Sequence, residues 1–147
     1  MQIDEHLSRR IVEETEDGII FADRDGIIRF WNPGAESLFG FGAEETVGQS
    51  MDLIIPQRLR DRHWEGWRKS MATGTTRYGR QVLAVPAMRK DGTRISIEFT
   101  IVILKDAMGA VMGAAAIIRD VTTRWEEQRA LKQRLAELEA KVKLPAT

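Results

Sequence analysis

Gly18-Ile19-Ile20-Phe21-Ala22-Asp23-Arg24-Asp25-Gly26-Ile27-Ile28-Arg29-Phe30-Trp31-Asn32-Pro33, residues 18–33, encodes a β-hairpin that runs straight into a helix. The apolar run Gly18 to Asp23 has the length of a strand, and Asp25-Gly26 is a tight-turn dipeptide. Ile27 to Trp31 is the return strand. Asn32 is a good helix cap, and Pro33 suits the first helical turn because its missing N–H would have no partner there anyway.

Working outward, Met1 to Glu16 reads as an amphipathic helix, with Ile3, Leu7 and Ile11 four residues apart and Val12 beside them. After the hairpin, Pro33 to Gln49 is a set of short helices broken by Gly40, Gly42 and Gly48. Pro56 opens a longer helix that runs to about Ala72, and Gly74 ends it. Val82, Leu83 and Val85 predict a strand, and Pro86 places it at an edge or bulge. Asp91-Gly92 is a second hairpin turn. Ile95, Ile97, Phe99 and Ile101 alternate with Ser96, Glu98 and Thr100, so this strand buries one face. Lys105 to Gly109 is a third turn, and Val111 to Val121 is a strand of small and apolar residues. From Thr122 onward the chain is helical and charged. Leu131, Leu135, Leu138 and Val142 step by 4, 3 and 4, the seam of a coiled coil. The order predicts an α+β layout in which short helices cover one face of a five-stranded antiparallel sheet.

Composition limits the chemistry. The chain has 147 residues, 30% charged and 43% hydrophobic, with a formal net charge of +0. That is enough chain for one core plus an appendage, and no global field favours nucleic acid or an acidic membrane. There is no cysteine, which excludes disulfides, thiolate metal sites and photochemistry through a cysteinyl adduct. No apolar run approaches the roughly 20 residues of a membrane span, and Met1 to Arg10 lacks the pattern of a signal peptide. A cytoplasmic location is the expectation. No phosphate loop, Ser-His-Asp set or two-histidine metal spacing is present, so the chain is not expected to be an enzyme.

Several motifs together resemble the PAS family over roughly Glu14 to Thr123. They are Asp23-Arg24-Asp25-Gly26, Trp31-Asn32-Pro33-Gly34-Ala35-Glu36, Phe39-Gly40-Phe41, Val47-Gly48, Arg89-Lys90-Asp91-Gly92-Thr93 and Ile118-Arg119-Asp120-Val121-Thr122. The last matches the Asp-x-Thr signature that closes PAS cores. The resemblance implies an N-terminal amphipathic helix over 1–16, a PAS sensor domain over 17–123 and a C-terminal coiled-coil output helix over 124–147.

Leu53-Ile54-Ile55-Pro56-Gln57-Arg58-Leu59-Arg60-Asp61-Arg62-His63 is more particular. It resembles the heme-binding PAS domains of the FixL and DosP oxygen sensors, in which a histidine after an Ile-Pro or Met-Pro start binds heme iron. His63 falls on that position, which implies heme b with His63 as its metal ligand. Independently of the resemblance, Leu59, His63 and Trp67 are spaced by four and share a helix face, and histidine is the usual proximal ligand to heme. Trp64 lies off that stripe and is expected to face solvent or a partner.

The resemblance places Lys69 and Arg77 where heme propionates find cationic partners, with Tyr78 and Arg80 adjacent. For each cation taken alone, a solvated surface charge is the plainer reading. Counted without gaps, Leu83 stands where those sensors hold an oxygen-stabilising arginine, Gln81 stands at the DosP distal methionine, and Phe99 and Ile101 match apolar distal residues. A gap in this strand would put Arg80 in the arginine's place. The implied function is sensing of a diatomic gas or of redox state, signalled through the C-terminal helix of a homodimer to a downstream kinase, cyclase or regulator. The alternatives are a heme-free PAS module for dimerisation or small-ligand binding, and a heme enzyme with peroxidase-like activity.

Overall fold

A computed structural model of the chain describes residues 4–79 and 81–143; Ile3 of the N-terminal stripe and the distal candidate Arg80 lie outside the described residues. The hairpin forms where the sequence places it. Strand β1 (Gly18–Asp23) pairs antiparallel with β2 (Ile28–Trp31), setting Ile20 opposite Trp31. The Asp23 carboxylate closes the turn, accepting from the backbone N–H of Asp25 at 2.9 Å and of Ile27 at 3.1 Å and from Arg29 Nε at 2.8 Å. Gly26 takes a φ of +77°, which a side chain would resist.

Asn32 does more than cap. Its Oδ1 accepts from Ala35 N–H at 2.9 Å, starting helix α2 (Pro33–Phe39), and from Ile19 N–H at 2.7 Å. Its Nδ2 donates to the carbonyls of Val12 at 2.8 Å and Asp17 at 3.1 Å. One buried side chain thereby ties helix α1 (Glu5–Glu14) to β1 and α2. Asp4 caps α1 through Leu7 N–H at 2.6 Å. Leu7 and Ile11 remain exposed, and His6 faces solvent.

Helix α3 (Ala43–Thr46) and a 3-10 turn (Met51–Ile54) follow. The single helix expected from Pro56 is divided: a second 3-10 turn (Gln57–Leu59) precedes α4 (Arg60–Thr73). Arg60 holds this junction, donating from Nε to the Ile55 carbonyl at 3.0 Å and from its guanidinium to the Asp52 carbonyl at 3.2 Å. Gly74, at φ +74°, terminates α4 as expected.

Strands β3 (Leu83–Met88), β4 (Arg94–Lys105) and β5 (Val111–Asp120) complete a five-stranded antiparallel sheet in the order β2-β1-β5-β4-β3. Pro86 sits in β3, an edge strand, where a missing ladder donor is tolerated. Cross-strand registers align Leu83, Phe99, Ile118 and Gly18 in one row, and Ile101, Ala116, Ile20 and Trp31 in the next. This face packs on Ala35, Leu38, Phe39 and Ile54 from the intervening segment. Full burial of a side chain such as Phe39 stabilises the fold by about 1.5–3 kcal/mol. The opposite face leaves Phe30, Val102 and Ile117 exposed.

The output helix α5 (Thr122–Lys143) starts from a side-chain knot. Asp120 Oδ1 accepts from the N–H of Thr122 at 2.9 Å and from its hydroxyl at 2.6 Å, and the Thr122 Oγ1 accepts from Ser96 N–H at 3.0 Å. Arg124 pairs with Glu98, and Arg119 with Asp17 at 3.3 Å. The first turn of α5 is therefore fastened to β4, and the α1–β1 link to β5.

Candidate functional site

The inward face of α4 is built from Arg60, His63, Trp64, Trp67 and Met71. Met71 is the most buried of them, at 5% exposure, and it extends the four-residue stripe of Leu59, His63 and Trp67 by one more step. Leu59 itself lies in the preceding 3-10 turn and is half-buried.

His63 sits between two indoles. Trp67 stacks on it with centroids 6.0 Å apart and planes 26° apart, and Trp64 meets it edge-on at 4.6 Å and 80°. Each indole is anchored by its N–H. Trp64 Nε1 donates to Asp52 Oδ1 at 2.7 Å, and Trp67 Nε1 donates to the Arg24 carbonyl at 3.0 Å. The expectation that Trp64 faces solvent or a partner is corrected here. Its ring lies against the Asp25-Gly26 turn, where a Cβ on Gly26 would come within 2.2 Å of it.

The His63 Nδ1 is buried and has no hydrogen-bond partner. Burial pushes the imidazole below its usual value of 6.5, and the nearby Asp52 carboxylate, which pulls the other way, does not offset it. The side chain is therefore a neutral imidazole at neutral pH, the form that carries a lone pair for a metal. That chemistry fits a heme iron, with Nδ1 sealed and Nε2 as the nitrogen left to ligate.

The three apolar distal candidates lie together on the strands. Leu83 is directly opposite Phe99, and Ile101 is two residues further along the same face of β4. All three are half-buried, and Phe99 packs against the core. The described polar candidates point elsewhere. Lys69 pairs with Glu65 at 3.5 Å, both exposed, and six residues of helix turn it well away from the His63 face. Arg77 lies over the Tyr78 ring at 4.9 Å, and Tyr78 is itself exposed, as is Gln81. A cleft of about 260 Å³ opens between the end of α4 and the β4–β5 turn. Its walls include Arg24, Met71, Gly74, Lys105 and Val111, and His63 is not among them.

Asp52, Arg60, Trp64 and Gly26 were not marked as site residues by the sequence. The available signal was weak: two tryptophans flanking a histidine at +1 and +4 need anchors for their N–H groups, but the anchors come from distant loops. Among the described residues no cluster of three or more metal-ligating side chains occurs, and no described helix is long and apolar enough to cross a membrane.

Comparison with known proteins places this arrangement. A family model described as the PAS fold matches residues 12–126. The oxygen sensor protein DosP of Escherichia coli is 27% identical over 122 residues, covering 83% of this chain and 15% of DosP. The sensor protein FixL of Bradyrhizobium diazoefficiens is 28% identical over 133 residues, covering 90% of this chain and 26% of FixL. The chain thus spans about a quarter or less of the curated relatives it matches. The crystal structure of a PAS domain from Colwellia psychrerythraea superposes with a TM-score of 0.69 at 24% identity, over 81% of this chain and 99% of that one.

Proposed function

The chain belongs to the PAS family of sensory and signalling domains, and from that premise we propose that it binds heme b through His63 and senses a diatomic gas or redox state. The observation that carries the reading is the imidazole itself: slotted between two anchored indoles, with Nδ1 sealed and without a partner. Bound heme would supply an iron able to bind a diatomic gas. The chain's own residues would do the rest. His63 Nε2 would hold the metal. Leu59 and Trp67 would wall the proximal side, and Leu83, Phe99 and Ile101 the distal side. Lys69, Arg77 and Arg80 are the candidates for the propionate edge, of which the described Lys69 and Arg77 would have to turn inward from their present contacts, and Tyr78 is a candidate to reach over the iron.

Hemin titration tests this directly. The parent chain should take up one equivalent with a sharp Soret band, and His63→Ala should lose axial ligation and most retention. An unchanged spectrum and tight, stoichiometric heme in His63→Ala would defeat the assignment. A chain that takes up no heme in either form leaves the second reading, a heme-free PAS module for dimerisation or small-ligand binding. Peroxide turnover no faster than that of free heme would set aside peroxidase-like activity; no distal acid-base side chain lies beside Leu83, Phe99 and Ile101 on their strands to organise it.

We further propose that residues 1–16, 17–123 and 124–147 act as input helix, sensor and output coiled coil. In this reading β4 passes movement at the distal wall to α5 through the Ser96–Thr122–Asp120 knot and the Glu98–Arg124 pair. Leu131, Leu135, Leu138 and Val142 are all exposed on the lone helix, a pattern that suits a parallel homodimer signalling to a kinase, cyclase or regulator domain. Sedimentation should show a dimer at tens of micromolar, and Leu135→Glu with Leu138→Glu should give a monomer. A monomeric parent would sink the coiled coil.

A further inference from the structure

Asp52 sits in the 3-10 turn Met51–Ile54, eleven residues ahead of His63, and is held from three sides. Its backbone N–H donates to Ser50 Oγ at 3.1 Å, its carbonyl accepts from the Arg60 guanidinium at 3.2 Å, and Arg60 Nε lies 3.9 Å from its carboxylate. That carboxylate accepts the Trp64 indole N–H at 2.7 Å. On its other side the Trp64 ring is stopped by the Asp25-Gly26 turn, where the absence of a Cβ leaves the indole its seat. The ring edge then abuts the imidazole. Trp67, fixed by the Arg24 carbonyl, closes the opposite face.

We propose that Asp52 is a positioning residue for His63, acting through the Trp64 indole to fix the plane of the imidazole and the nitrogen it presents. A buried histidine commonly has its orientation set by a hydrogen bond to one ring nitrogen. His63 Nδ1 has none, so the ring is held by shape instead. The walls that give that shape are two indoles, and the one nearer the histidine is pinned by a charge-assisted bond to Asp52. Release of that bond frees Trp64 to leave its seat and lets the imidazole turn. The effect on a metal ligand rests on His63 binding heme as proposed above; the positioning of the ring does not.

The test begins without heme. In a 15N-labelled chain, at a pH where the imidazole is neutral throughout, the His63 ring nitrogens and the Trp64 indole N–H report orientation and bonding. Asp52→Ala and Trp64→Phe should displace the His63 ring signals alike, while the remaining amide spectrum reports that each variant is folded. Asp52→Asn, which removes the charge but keeps an acceptor for the indole, should stay close to the parent. The Asp52→Ala/Trp64→Phe pair should move His63 no further than either change alone, because the two act as one unit. With hemin added and reduced to the ferrous form by dithionite, Asp52→Ala and Trp64→Phe should shift the iron–histidine stretching band together.

Unmoved His63 signals in Asp52→Ala overturn the inference. So do equal shifts in Asp52→Asn and Asp52→Ala, which would make Asp52 a direct charge effect rather than an anchor for Trp64. Full displacement of His63 in the apo variants, with no Soret band in the parent, upholds the positioning and removes the heme reading.

Discussion

Asn32→Ala should lower the stability of the chain by roughly 3–4 kcal/mol, the largest loss expected of any single polar truncation in the fold. The side chain makes four hydrogen bonds to backbone groups and is 1% exposed. Each such bond contributes about 1 kcal/mol net, and a buried group left without its partner costs at least as much again. Asn32→Asp separates the two halves of the role. It retains acceptors for Ile19 and Ala35 but turns a carboxylate oxygen toward the carbonyls of Val12 and Asp17. Helix α1 should then detach while α2 stays capped, and the amides around Val12 to Asp17 should exchange faster than those of β1. Urea unfolding and hydrogen exchange read the two effects separately. An unfolding free energy for Asn32→Ala within about 1 kcal/mol of the parent's would mean that α1 is not held through this residue.

The contrast between what Asn32 announces and what it does explains how far the sequence could be read. Its capping role is local: Asn before Pro reads as a helix start. The alternation along β4, the Asp-Gly turns and the proline on β3 are local too, and each appears at its expected place. The two bonds to Val12 and Asp17 depend on where α1 comes to rest, and nothing in the neighbouring residues encodes that. The same division runs through the candidate site. His63 could be singled out because the Leu53–His63 segment resembles the heme-binding PAS domains, and a spacing of four set it on a face with Leu59 and Trp67. Trp64 was misplaced because that spacing describes an ideal helix surface and not the loops that reach it. The Asp25-Gly26 turn, read only as a hairpin turn, also makes the seat for that indole. Asp52 was invisible because its partner, the Trp64 N–H, lies twelve residues further on, beyond Pro56 and a second 3-10 turn.

Leu83→Arg should slow oxygen release from the heme-loaded chain roughly ten- to a hundredfold while changing carbon monoxide release little. The expectation rests on His63 holding heme and on Leu83, Phe99 and Ile101 forming the distal wall, as proposed above. Leu83 stands directly across from Phe99, with Ile101 two residues along, and none of the three offers a hydrogen-bond donor. Oxygen draws electron density onto itself at a ferrous heme, whereas carbon monoxide stays nearly apolar. A charged donor on this wall would favour oxygen by about 1.5–3 kcal/mol and favour carbon monoxide much less. The parent chain should accordingly bind oxygen weakly relative to carbon monoxide. An arginine at 83 would extend from the edge strand β3, where the backbone has room to carry a longer side chain without displacing a central strand. Flash photolysis of the carbon monoxide form and stopped-flow release of oxygen measure the two rates. Arg80 provides the opposing case, because a one-gap shift in the strand would make it the native donor. If Leu83→Arg leaves oxygen release untouched and Arg80→Ala speeds it, the distal donor is Arg80 and the ungapped register of this strand against the oxygen sensors is wrong.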